Sequence, residues 1–160
     1  MIQRAVTADR RNVLGETLES CSRDPMTGFF RDGCCRTDEN DVGSHTVCIR
    51  VSAEFLEFSK RVGNDLSTSI PEYGFQGLKP GDQWCLCAAR WQEAFTQDAA
   101  PPVVLAATHE RALDVLPVEH VVGAATEGER HLVVQRLDHG MCMAMACALH
   151  APGTCTWHAR

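Results

Sequence analysis

The stretch Gln83-Trp-Cys-Leu-Cys-Ala-Ala89, followed by Arg90-Trp-Gln-Glu-Ala-Phe-Thr-Gln97, decides how this chain is read. The first part is short and, from Trp84 onward, apolar, which suits a buried strand. The second part sets Trp91 and Phe95 at i, i+4, which suits a helix returning over that strand. Cys85 and Cys87 stand two apart, and on a regular strand they share one face. Fold and chemistry meet in one segment.

Upstream, His45-Thr-Val-Cys-Ile-Arg-Val51 alternates and is β-branched, so it reads as a second strand. Ser52 is placed to cap a helix from Ala53 to Val62, with Phe55, Phe58 and Val62 on one stripe and Gly63 ending it. Downstream, Ala100-Pro-Pro-Val-Val-Leu-Ala-Ala107 reads as another apolar strand. Thr108 then caps a helix over His109 to Leu116, Pro117 breaks it, and Val118 to Ala125 forms one more short helix. The second half thus reads β-α-β-α, with chain enough between its strands for a parallel right-handed crossover. The expected fold is α+β, or a small α/β arrangement: a small mixed sheet flanked by helices. Residues 12–45 are rich in turns, at Asp24-Pro25, Thr27-Gly28 and Asp32-Gly33, and are expected to be irregular. The expected organisation is an arm over residues 1–11, a single domain over 12–126, and a C-terminal appendage over 127–160, partly disordered, with one strand-like run from Leu132 to Val134.

Several stretches resemble a known family: Asn12-Val-Leu-Gly15, Asp24-Pro-Met-Thr-Gly-Phe-Phe-Arg-Asp-Gly-Cys-Cys35, Asp41-Val-Gly-Ser-His-Thr-Val-Cys48, a run from Phe55 to Thr68, Gly77 to Ala94, and Ala100 to Leu113. Together they are similar to the small family catalogued as domain of unknown function 2237, over roughly residues 12–125. The resemblance brings the domain boundaries and no activity. Its motifs hold Cys21, Cys34, Cys35, His45, Cys48, Cys85, Cys87 and His109 without giving them roles.

Composition narrows the classes of function. The chain has 160 residues, 44% of them hydrophobic, and a formal net charge of −6. A nucleic-acid surface needs a basic stripe, and none is visible. An acidic chain has no electrostatic attraction to anionic lipid. The apolar run from Met141 to Leu149 is too short to cross a bilayer. The first residues, Met1 to Gly15, lack the apolar centre of a secretory leader. The expectation is a soluble, cytoplasmic protein whose partner is a small molecule or another protein. The composition leaves its oligomeric state open.

Nine cysteines is a high count, and a reducing compartment favours thiols or metal ligands over a disulfide framework. Four readings compete. Cys85 and Cys87, joined by Cys34 and Cys35, would form a thiolate metal site, with zinc as the metal, although no C-x2-C spacing occurs. Alternatively Cys87 is a reactive thiol at a strand end, with His109 as its base and Arg90 holding an anionic group. A persistent disulfide, such as Cys21 to Cys34, is the least favoured. Plain packing of buried cysteines is the simplest, and it leaves a binding module whose contact surface is the loop after Gly63. There Asn64, Asp65, Ser67, Thr68 and Tyr73 offer polar groups and a ring. The acidic run through Asp24, Asp32, Asp38, Glu39 and Asp41 lacks calcium-loop spacing and reads as solvated.

Overall fold

The computed structural model describes residues 10–137. Strand β1 (Val47–Arg50) leads into helix α1 (Ala53–Arg61), and strand β2 (Gln83–Leu86) leads into helix α2 (Ala88–Phe95). Helices α3 (Val118–Gly123) and α4 (Glu127–Leu137) follow. The two strands pair antiparallel, with Cys48 opposite Cys85 and Ile49 opposite Trp84. The fold is a small α+β arrangement around this two-stranded sheet.

Alternation along the strands separates two interiors. Val47, Ile49 and Leu86 enter the main core with Phe55, Phe58, Trp91, Val103 and Leu105. Cys48 and Cys85 belong instead to a smaller buried cluster with Cys21, Cys35 and Ala107. The helices close the main core. Ser52 accepts a hydrogen bond from Phe55 N at 3.2 Å and caps α1. Helix α2 buries Ala88, Trp91 and Ala94, and Trp91 Nε1 donates to Pro101 O at 3.2 Å.

The segment expected as a parallel strand, Ala100 to Ala107, forms only isolated bridges: Val103 pairs antiparallel with Ile49 and parallel with Ala125. Pro101 and Pro102 remove two backbone donors from its start, and a 3-10 turn over Leu105–Ala107 ends it. The expected crossover to a parallel strand is therefore not formed. The next helix is also displaced. The Thr108 hydroxyl lies within bonding reach of Cys48 N and Val104 O, and His109 Nδ1 caps a 3-10 turn over Glu110–Asp114.

The turn-rich segment is fastened at defined points. Thr27 Oγ1 accepts from Cys85 N at 2.9 Å and pins it to β2. Asn12, 1% exposed, accepts from Leu14 N and Glu16 N and donates to Thr17 O and Ala106 O. Past residue 126, the run Leu132 to Val134 expected as a strand lies within α4. That helix is joined to the domain: Glu129 accepts from Leu105 N and Ala106 N, and Val133 is buried. Most of the expected appendage, including its methionine- and cysteine-rich run, lies outside the described residues.

Candidate functional site

Cys87 is the residue at which β2 becomes α2. The strand ends at Leu86, and Ala88 N donates to Ser44 O at 3.0 Å, which fixes the start of the helix. This turn explains why Cys85 and Cys87 part company. The two-residue spacing would align them on a continuous strand, but the strand stops between them. Cys85 stays in the buried cluster, and Cys87 becomes a half-buried free thiol at a helix N-terminus.

Its neighbour is a histidine, and the histidine is His45. Cys87 Sγ lies 3.1 Å from His45 Nε2, and His45 Nδ1 lies 2.6 Å from Asp41 Oδ1. The Asp41 side chain is fully shielded from solvent, and its second oxygen accepts from His45 N at 2.8 Å and from Thr37 Oγ1 at 3.0 Å. Sulfur, imidazole and carboxylate thus stand in a line. The Phe29 ring stacks against His45 with centroids 6.2 Å apart. Gly43 closes the loop between Asp41 and His45. A Cβ there would come within 2.9 Å of His45 Cε1 and 3.0 Å of Cys87 Sγ, so the glycine keeps the space beside the sulfur open.

The electrostatics follow the geometry. His45 is pushed up from its ordinary value to about 9. The hydrogen bond to Cys87 is the largest cause, burial opposes it, and the bond to Asp41 adds to the rise. Burial would raise Asp41, but hydrogen bonds from the His45 side chain, His45 N and Thr37 outweigh it and hold the carboxyl below its ordinary value. Beside the sulfur lies a shallow cleft of about 450 Å³ lined by Val42, Gly43, Cys87, Ala89, Arg90 and Glu93. Arg90 Nη1 donates to Glu93 Oε2 at 2.9 Å across it.

The other expected site residues are placed differently. His109, expected beside Cys87, is 1% exposed and accepts from Arg111 N through Nδ1, while its own N–H donates to Thr46 O. The four-cysteine set of Cys34, Cys35, Cys85 and Cys87 is not assembled. Cys35 is joined to Cys85, and Cys21 to Cys48, so the two cysteine pairs are disulfides that the sequence reading had disfavoured. Cys34 points away into a cleft of about 250 Å³ with Arg10, Leu18, Arg23, Asp32 and Arg36. In the loop after Gly63, the polar side chains serve the loop itself. Asp65 accepts from the backbone and hydroxyl groups of Ser67 and Thr68, which also holds its carboxyl well below the ordinary value. Asn64 O accepts from Ser59 Oγ. Tyr73 is exposed and borders a cleft of about 380 Å³ with Arg23, Met26, Arg31 and Phe75.

The contact of Asp41 and His45 with Cys87 was not foreseen from the sequence. Asp41 lay in an acidic run that reads as solvated, and His45 was placed at the head of a strand. The available signal was their spacing, acid and imidazole four apart around a glycine, in the same stretch that carries the family resemblance.

Fold and site together define a small α+β domain with two buried disulfides and a cysteine–histidine–aspartate line at a helix start. The family described as an uncharacterized protein conserved in bacteria (DUF2237) matches over residues 11–125. The chain belongs to that family. No curated protein matches it. Among the described residues, no helix is long and apolar enough to cross a membrane.

Proposed function

We propose that the chain is a thiol-dependent enzyme in which Cys87 is the nucleophile, His45 the acid and base, and Asp41 the group that orients the imidazole. The observation that carries this reading is the continuous contact from Cys87 Sγ through His45 to buried Asp41, at 3.1 and 2.6 Å. The reaction class that uses these parts is acyl transfer or hydrolysis. The thiolate attacks a carbonyl carbon and forms a C–S bond. Protonated His45 gives its Nε2 proton to the leaving group as the bond to that group breaks. Neutral His45 then takes a proton from water, the water oxygen attacks the thioester, and the acid product leaves with the thiolate restored. The cleft beside Sγ suits a small substrate, and Arg90 on its wall is assigned to an anionic substrate group.

The cytoplasmic compartment expected from the sequence belongs to this proposal. A reducing compartment keeps Cys87 available, while burial of Cys21, Cys35, Cys48 and Cys85 limits access of thiol reductants to the disulfides.

Alkylation followed by peptide mapping tests the reading. At neutral pH, iodoacetamide is expected to modify Cys87 ahead of Cys34, the other free cysteine among the described residues. His45→Ala should remove that preference. The ratio of anionic iodoacetate to neutral iodoacetamide reaction at Cys87 should fall in Arg90→Gln. Equal labelling of both cysteines, unchanged by His45→Ala, would overturn the nucleophile assignment. An unchanged ratio would remove Arg90 from the proposal.

A further inference from the structure

The four disulfide cysteines form one buried cluster rather than two separate staples. Cys21 is 6% exposed, Cys35 and Cys48 are fully buried, and Cys85 is 2% exposed. The sulfur atoms of Cys21, Cys35 and Cys85 all lie within 4.8 Å of one another, although Cys21 belongs to one bond and the other two to the second. Cys48, the fourth member, is bonded to Cys21 and sits directly opposite Cys85 in the sheet register. Cross-strand partners have Cβ atoms about 5 Å apart. The set is drawn from two strands and from two points of the irregular segment.

From this we infer that, when reduced, Cys21, Cys35, Cys48 and Cys85 form a tetrathiolate site for a divalent soft or borderline cation, zinc being the reference case. Four thiolates about 2.3 Å from a tetrahedral zinc are about 3.8 Å from one another. Cys21 already lies within 4.8 Å of Cys35 and Cys85, and opening both disulfides lets each bonded pair move apart to that separation, with Cys48 completing the set. Among the described residues, no carboxylate or imidazole joins Cys21, Cys35 and Cys85 at that spacing, which favours zinc over calcium or magnesium. Gln83, across from Arg50 on the sheet, already has its amide 3.7 Å from Cys48 Sγ. Turned about its terminal bond, that amide donates N–H to a thiolate and offsets part of the charge.

The chemistry balances with a dithiol reductant. Each disulfide takes two electrons and two protons from one dithiol, which leaves as its own disulfide. The four thiols then bind one divalent cation and release up to four protons. The site is distinct from the Cys87 centre and does not rest on the proposed enzyme activity.

The test uses the full chain with Cys142, Cys147 and Cys155 replaced by serine, so that these three cannot supply thiolates. After reduction and anaerobic removal of reductant, one zinc per chain is expected by elemental analysis, and none in the oxidised protein. Adding Cys34→Ser and Cys87→Ser should leave that stoichiometry unchanged, while adding Cys35→Ser and Cys85→Ser should abolish it. Because the last variant is at risk of not folding, the thermal midpoint of the reduced parent protein is measured with zinc and with magnesium. Only zinc should raise it. Folded, reduced protein that takes up no zinc would overturn the inference. So would zinc that is lost with Cys34 and Cys87, or a midpoint indifferent to zinc.

Discussion

At the scale of single residues, the central pair is Cys87 and His45, and its behaviour depends on a third residue that never reaches solvent. The Asp41 carboxylate accepts three hydrogen bonds, and in the proposed site it orients the imidazole. Asp41→Asn keeps the size and removes the charge. It should slow alkylation of Cys87 at pH 7 by at least about tenfold, as loss of a carboxylate that orients a catalytic imidazole does, with the circular dichroism spectrum unchanged. The raised value of His45 also links to stability. A group whose value is higher folded than unfolded stabilises fully below its unfolded value, here 6.5, and loses that contribution as pH rises through about 9. The thermal midpoint of the parent protein should therefore fall more between pH 7 and pH 10 than that of His45→Gln. The difference should be small, because the ring is 37% exposed and solvent screens it. Asp41 works in the opposite direction, contributing above the ordinary carboxylate range and losing that contribution as pH falls through its lowered value.

At the scale of elements, the loop from Asp41 to His45 and the junction of β2 with α2 do the positioning. Gly43→Ala would press a methyl group against both His45 and Cys87. Cys87 alkylation should slow several-fold while the thermal midpoint changes little, since the loop lies outside the main core. Asn12→Ala makes the complementary test. It strips four backbone partners of one buried amide and should cost roughly 2–4 kcal/mol in denaturant unfolding. Elements with a clear local period were legible in the sequence: β1, the Ser52-capped α1, the strand–helix pair at Gln83 to Phe95, and the short helix after Pro117. The segment from Ala100 to Ala107 was not, because apolar composition does not show that its prolines leave it without a ladder partner. Nor was the identity of the histidine. His109 has the better position by strand-end reasoning, but its ring is spent on capping a 3-10 turn. The position of Cys87 at the end of β2 was legible in the sequence. Its separation from Cys85 was not, because a strand that stops one residue early reverses the facing of everything after it.

At the scale of the whole molecule, the sheet divides an apolar core from a cysteine core, and the disulfides hold the irregular N-terminal segment to the second. The bonds close sequence separations of 27 and 50 residues. Loop-closure entropy assigns each about 3–4 kcal/mol, less than additively because the loops overlap. Reduction without added metal should therefore lower the thermal midpoint by well over ten degrees for a domain of this size. A midpoint unmoved by complete reduction would mean that the cysteine pairs contribute little to the fold. The bonds were hidden from sequence reasoning because they link residues distant along the chain. The reducing-compartment argument also pointed away from them.

The most direct test of the account is the rate of Cys87 alkylation at pH 7, measured with iodoacetamide and peptide mapping in Cys34→Ser protein, with and without His45→Ala and Asp41→Asn. Removing the imidazole should slow the reaction at Cys87 at least about tenfold, and Asp41→Asn should slow it in the same direction. A rate unchanged by both substitutions would contradict the claim that Cys87, His45 and Asp41 act together.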